Sequence, residues 1–339
     1  MALAATVTLV APLGCLGTPL PGRAPPRGSY TEWLTHSPGS RPLVVHVPEG
    51  LGDATPRPLV VVLHGAGGSA RQMEADTGFS RLADREGFVA LYPLGVSVPG
   101  LEVHGFSGGP FRHWNAGFCC GRAKDQGVDD EGFVLRSIER VREKLAIDGR
   151  RIFLVGYSNG AMLAHKLAAR APELFAAVAP YAGATPATGS VHEPVVLLDA
   201  RGAVSTLVMH GMSDTRTPHG SALWGSGMTA GADPSARFWA AEARCRARAQ
   251  RASSHGGAVR TVTWGDCAGG KQVRLMSLEG WDHEWPSAEA TTRRSRVPGL
   301  RGFDAAEAMW AFFREVSTPR EASGGAPAEG GPAAAREVR

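Results

Sequence analysis

The pentapeptide Gly156-Tyr157-Ser158-Asn159-Gly160 carries the side chain best placed for chemistry. It follows the apolar run Ile152-Phe153-Leu154-Val155 and precedes residues 161–170, in which Leu163 and Leu167 stand one helical turn apart. Strand, Gly-x-Ser-x-Gly and helix describe a turn so sharp that only small residues fit two positions either side of the serine. Such a turn lifts the Ser158 hydroxyl clear of the backbone, at a helix N-terminus whose dipole favours developing negative charge. An ordinary Gly-Ser turn is the competing reading, and the flanking strand and helix count against it.

A serine hydroxyl is barely ionised at neutral pH and needs a base, itself oriented by an acid. Around a serine on this kind of turn the partners follow in the order Ser, Asp or Glu, then His. Leu207-Val208-Met209-His210-Gly211-Met212-Ser213-Asp214 reads as a strand running into a short loop that ends in a carboxylate. Asp199 is the rival acid, and the strand–loop placement favours Asp214. Trp281-Asp282-His283-Glu284-Trp285-Pro286 presents a histidine in a loop after the apolar run 273–278, so His283 is the expected base. His210 and His219 flank the proposed acid and come too early for the chain order. The tetrahedral intermediate of acyl transfer needs two backbone N–H donors. Asn159, next to the nucleophile, supplies one. The turn His64-Gly65-Ala66-Gly67-Gly68 after the run 59–63 supplies the other, with Ala66 as the expected donor. Those glycines are not a phosphate cradle, because no Gly-Lys-Ser/Thr ending and no dinucleotide fingerprint accompany them.

These groups need elements to position them. Apolar runs at 43–47, 59–63, 88–92, 151–155, 175–179, 206–209 and 273–278 predict buried, mostly parallel strands. Val134, Leu135, Ile138, Val141 and Leu145 recur at helical spacing after Asp129-Asp130-Glu131. Those first carboxylates are read as helix-start residues, not as metal ligands or an acid/base pair. Ala305, Ala308, Met309, Phe312, Phe313 and Val316 form the stripe of a closing helix. The alternation predicts an α/β fold with a doubly wound sheet and helices on both faces. Stretches 97–127 and 215–270 have weaker periodicity and are read as excursions over the sheet edge. Along the chain we expect a possible signal segment at 1–22, a linker at 23–40, a catalytic domain at 41–316 and a disordered tail at 317–339.

With 339 residues, 43% hydrophobic and 20% charged, the chain is no disordered protein, small disulfide scaffold or collagen-like repeat. The formal charge of +4 is scattered among acids, without the one-sided basic stripe and stacking aromatics that a nucleic-acid partner requires. Residues 2–16 are apolar but broken by Pro12, too short for a stable membrane span. They resemble the apolar region of an export signal, although no positive charge precedes them, so a secreted or periplasmic location is expected. Cys15 after Leu13-Gly14 is a poor site for a lipid anchor. Cys119, Cys120, Cys245 and Cys267 allow three pairings, and spacing does not choose among them. Cys245 and Cys267 bracket one polar stretch that a disulfide could staple in an oxidising compartment. No Cys-x-x-Cys and no histidine pair at ligand spacing suggests a metal, and no cofactor is implied.

Several blocks in order carry a family likeness: His64-Gly65-Ala66-Gly67-Gly68-Ser69-Ala70, Tyr92-Pro93, Trp114-Asn115, Cys119-Cys120, Val128-Asp129-Asp130-Glu131-Gly132-Phe133, the serine pentapeptide and Trp281 to Pro286. From about residue 41 to 316 the chain resembles the secreted polyhydroxybutyrate depolymerase and feruloyl esterase family. The resemblance implies an α/β-hydrolase fold, with Ser158 as nucleophile, Asp214 as acid and His283 as base. The substrate it implies is an ester: a feruloyl or acetyl ester of plant polysaccharide, or a hydroxyalkanoate oligomer. Cys245 and Cys267 match positions where the family often has a disulfide, and the pairing of Cys119 and Cys120 stays open. Where the family often has glycines before the histidine, this chain has Gly280-Trp281-Asp282. Trp114, Trp281 and Trp285 are read as substrate-binding, with core packing the equal alternative. An acyltransferase, or an inactive surface binding protein on the same scaffold, are the other functional readings.

Overall fold

Residues 59–63 and 152–155 are buried side chain after side chain, which only strands covered on both faces tolerate. The computed structural model describes residues 26–50, 54–97, 111–185, 187–188, 196–197, 200–220, 222–224, 227–229 and 231–317. The proposed signal segment with Cys15, and the tail from 318 onward, lie outside the described residues.

Ten strands form one sheet: β1 (Gly28–His36), β2 (Gly39–Val47), β3 (Arg57–Leu63), β4 (Val89–Pro93), β5 (Ile147–Tyr157), β6 (Ala177–Tyr181), β7 (Ser205–Gly211), β8 (Gln250–Ser254), β9 (Val259–Trp264) and β10 (Val273–Leu278). Their spatial order is β1-β2-β4-β3-β5-β6-β7-β10-β9-β8. The centre, from β4 to β10, is parallel. Antiparallel hairpins close both ends. Along β3, Leu59, Val61 and Leu63 enter one apolar cluster and Val60 and Val62 the other. The period-2 alternation of a strand thus feeds two cores.

On the first face pack α4 (Asp130–Arg142), α5 (Asn159–Arg170) and α6 (Ala232–Glu242), through residues such as Phe133, Leu163 and Trp239. On the second lie α1 (Ala70–Thr77), α2 (Phe79–Glu86) and α8 (Ala305–Ser317), through Met73, Leu82 and Phe312. Two shorter helices, α3 (Gly121–Asp125) and α7 (Ala288–Arg294), complete the set among the described residues. Asp129 caps α4, its carboxylate accepting from the Gly132 N–H at 2.9 Å. Asp130 is buried against Arg41 at 2.7 Å, so both carboxylates are structural. Among the described residues no helix is long and apolar enough to cross a membrane.

Three sequence expectations need correction. The linker assigned to 23–40 is structured from Gly28 onward, because β1 pairs along its whole length with β2. β1 is an edge strand, with Trp33 63% exposed and Glu32 held by Arg140 and Lys144. A strand wetted on one side gives no continuous apolar run. The stretch 215–270 is likewise not all excursion: α6 packs on the sheet and β8–β9 extend it, with β8 fully solvent-facing. Cys245, just past α6, is bonded to Cys267, just past β9, and so fastens this hairpin to the first face. Finally, the strand expected at 175–179 runs from Ala177 to Tyr181.

Candidate active site

Three loops leave the C-terminal ends of β5, β7 and β10, and they carry Ser158, Asp214 and His283 respectively. Ser158 sits in the turn with φ 53° and ψ −119°, a region costly for any residue with a Cβ. The turn is held by the Ser158 N–H donating to the Tyr181 carbonyl at 2.9 Å. A Cβ at Gly156 would run into the Gly160 carbonyl, and one at Gly160 would meet the Leu63 and His64 carbonyl oxygens at 2.5 Å. That is why the pentapeptide needs glycine on both sides.

The Ser158 hydroxyl lies 2.9 Å from His283 Nε2, and His283 Nδ1 lies 2.8 Å from Asp214 Oδ2. All three are buried. Burial opposes ionisation of Asp214, but hydrogen bonds from His210 and His283, the His283 charge and the Thr217 N–H outweigh it. The carboxyl is held well below the usual carboxylate range. Asp214 Oδ1 accepts the N–H groups of Arg216 at 2.9 Å and Thr217 at 2.8 Å. The rival His210 is therefore not a bystander: its Nε2 bonds the Thr217 carbonyl at 2.6 Å and lies 3.3 Å from Asp214. His219 instead bonds Ser277 at 2.8 Å, and Asp199 lies outside the described residues.

Sequence reasoning missed the clamp made by Asp282. Its Oδ1 accepts from the His283 N–H at 2.8 Å and from the Thr215 N–H at 3.2 Å, tying the base loop to the acid loop. The Tyr181 hydroxyl and the Trp281 indole N–H both donate to the Glu284 carbonyl, at 2.6 and 2.8 Å. The signal was the departure from glycine before the histidine, which here exchanges flexibility for a fixed loop.

On the other flank of Ser158, the turn after β3 leads into α1. Gly67 N–H donates to the Arg112 carbonyl at 2.7 Å and Gly68 N–H to the Gly65 carbonyl at 3.0 Å. His64 Nδ1 bonds the Gly65 carbonyl at 2.8 Å, while its Nε2 accepts the Gly95 N–H at 2.9 Å. Burial, only partly opposed by the Gly65 bond, lowers the His64 pKa to about 4, so the ring is neutral. Asn159 opens α5, where the first N–H groups have no intrahelical acceptor. Cys119 and Cys120 lie side by side, and the Asn159 amide points at their sulfurs.

A cavity of about 390 Å³ opens over Ser158, Asn159, His283 and the turn Gly65 to Gly68. Met73, Phe111, Cys120 and Tyr157 give it apolar walls, while Gln72, Asp76 and Arg216 add polar groups. Burial raises the Asp76 carboxyl. The helical spacing of Gln72, Met73 and Asp76 after the glycine turn was the available signal for these. The three tryptophans are not among the lining residues. Trp114 is completely buried, its indole N–H donating to the His64 carbonyl at 2.8 Å. Trp281 and Trp285 belong to the second core, Trp285 packing edge-on against Tyr157 and Tyr181. Their bulk thus supports the loops from behind, and the substrate-binding assignment is corrected. Among the described residues no group of three or more His, Cys, Asp or Glu is placed to hold a metal.

Residues 44–216 match the esterase PHB depolymerase family. A putative esterase, NocK, of Nocardia uniformis subsp. tsuyamanensis is 28% identical over 277 residues, 75% of this chain and 70% of that protein. Feruloyl esterase B of Thermothelomyces thermophilus is 31% identical over 141 residues, 42% of this chain and 43% of that protein. The chain thus spans less than half the length of the second relative. The solved acetyl xylan esterase from Aspergillus awamori superposes with a TM-score of 0.54 at 19% identity, covering 75% of this chain and 94% of that one. At that identity the likeness speaks to the α/β-hydrolase fold alone.

Proposed function

This chain belongs to the esterase PHB depolymerase family, and from that premise we propose that it hydrolyses carboxylic esters through an acyl-enzyme on Ser158. The observation that carries the reading is the unbroken chain from the Ser158 hydroxyl through His283 to Asp214 at the floor of the cavity. Ser158 Oγ adds to the ester carbonyl as His283 Nε2 takes its proton. Asp214 holds Nδ1–H and stabilises the imidazolium. With the Gly67 and Gly68 amides already used, Ala66 N–H and Asn159 N–H are the donors assigned to the oxyanion. Collapse expels the alkoxide, which takes the proton from His283. Water then attacks the acyl-enzyme, gives its proton to His283 and releases the acid, returning the proton to Ser158.

The aromatic and thioether walls suit a short or planar acyl group better than a crystalline polymer face. Acetylxylan and feruloyl esterases are among the relatives, beside a poly(3-hydroxyalkanoate) depolymerase. The Cys245–Cys267 disulfide supports a place in an oxidising compartment, so we assign a secreted or periplasmic enzyme. Parallel turnover measurements on methyl ferulate, acetylated xylan and soluble hydroxybutyrate oligomers test the reading. Hydrolysis of one of the first two, lost in Ser158→Ala, is expected. Failure to hydrolyse any ester would overturn it.

A further inference from the structure

We propose that Trp114 is a positioning residue that fixes the two oxyanion donors relative to each other, acting through the His64 carbonyl on one side and the Asn159 side chain on the other. The proposal rests on the esterase reading above and concerns Trp114, which does not line the cavity, and the side chain rather than the backbone donor of Asn159.

Trp114 reaches both flanks of the oxyanion site. Its indole N–H donates to the His64 carbonyl at 2.8 Å, the peptide unit that leads into the Gly65-Ala66 turn. Its own main chain is gripped at two points by one amide: the Trp114 N–H donates to Asn159 Oδ1 at 2.7 Å, and Asn159 Nδ2 donates to the Trp114 carbonyl at 3.1 Å. Asn159 is also the residue whose backbone N–H is the second oxyanion donor. The same strip touches the glycine turn again two residues earlier, where the Arg112 carbonyl accepts the Gly67 N–H. A third side is closed without any side chain, because Gly160 lies so near the His64 carbonyl that a Cβ has no room.

A buried indole N–H needs an acceptor, and many carbonyls would serve. Here the acceptor belongs to one donor turn while the indole's own backbone is held by the residue that supplies the other donor. The Trp114 ring lies 4.8 Å from the His64 ring, which in turn bonds Gly65 and Gly95. Below the tryptophan, the Asn115 N–H donates to the buried Asp130 at 2.7 Å, so the strip cannot slide. The oxyanion appears only in the transition state and the tetrahedral intermediates. Displacing the donors therefore raises the barrier and leaves ground-state binding alone.

The test uses Trp114→Phe, which keeps an aromatic ring but removes the pyrrole half of the indole with its N–H, and Asn159→Ala, which keeps the backbone donor. Both are measured per titrated active site with an acetyl ester. A fall in kcat of about 10- to 100-fold with KM little changed is expected for each. Phenylboronic acid, which bonds Ser158 Oγ as a tetrahedral anion while His283 holds the proton, should lose affinity by a similar factor. Because the two changes break the same connection at different hydrogen bonds in series, the double variant should be no slower than the slower single one. A tryptophan that only packs would lower the melting temperature and the fraction of active sites, leaving kcat per site and boronate affinity as in the parent. That result in Trp114→Phe, or in Asn159→Ala if the first does not fold, overturns the proposal. So do effects that multiply in the double variant. An active Ser158→Ala would overturn the esterase reading itself, whereas failure of the positioning role leaves Ser158→Ala dead.

Discussion

On the β7–β10 side of Ser158, a buried carboxylate collects donors from His283, Thr217 and Arg216, and charge organises the loops. On the β3 side the groups that bond the turn are neutral, and the Arg41–Asp130 ion pair enters only behind them, through Asn115. A neutral histidine, an indole, a primary amide and glycines in backbone contact hold the turn in place. The difference follows the reaction proposed above. The acid–base side must carry a transient imidazolium, so it needs a fixed negative charge beside it. The oxyanion side must meet a negative charge that exists only briefly, so it needs fixed dipoles. Each flank can then be broken by a different kind of change.

The largest effect should come from removing the charge. Asp214→Asn keeps the shape but loses the stabilising carboxylate, and kcat should fall about 10⁴-fold with the fold retained. Asp199→Asn should be nearly silent in the same assay. If Asp199→Asn is the damaging change, the acid has been misassigned.

Next comes the packing behind the base loop. Trp281 is buried with its indole bonded to the Glu284 carbonyl, so Trp281→Ala should cost about 3–5 kcal/mol of stability. In the folded fraction, aromatic and acetyl esters should lose equally. A loss confined to the aromatic ester would return Trp281 to the pocket wall.

The smallest effect per residue sharpens the neutral side. His64 is depressed to about 4 and His165, buried against Trp239, to about 3, both by desolvation. Unfolded, each takes up a proton near pH 6.5, whereas folded each does not, so acid favours the unfolded chain. Stability should be complete above about pH 6.5 and fall by on the order of 3 kcal/mol per histidine as the pH drops to 4. Thermal melts between pH 8 and 4 check this, with His165→Gln flattening the curve. A melting temperature independent of pH over that range would mean the rings are not held neutral.

The acid–base flank was legible in the chain because its chemistry uses rare residues at strand ends. Gly156 to Gly160, Asp214 and His283 each follow an apolar run, and those runs became β5, β7 and β10 of the parallel centre. The oxyanion flank was legible only as glycines. Trp114 could be core, wall or brace from its type alone, since an indole suits all three. The choice is made by which carbonyl its N–H finds. Asp282 was hidden for the same reason: a loop aspartate reads as solvated until its two N–H donors are in place. The edge hairpins at 28–47 and 250–264 escaped notice because half-wetted strands mix polar and apolar residues without a run. The parallel centre, dry on both faces, had no such ambiguity.

The mechanism proposed above requires a covalent acyl-enzyme on Ser158. It is tested by mixing the protein with p-nitrophenyl acetate, quenching in acid within the first turnover and mapping the peptides by mass. One acetyl group is expected, on the Ser158 hydroxyl, absent from Ser158→Ala and formed far more slowly in His283→Ala. Steady hydrolysis with Ser158 unmodified, or undiminished turnover by Ser158→Ala, would contradict it.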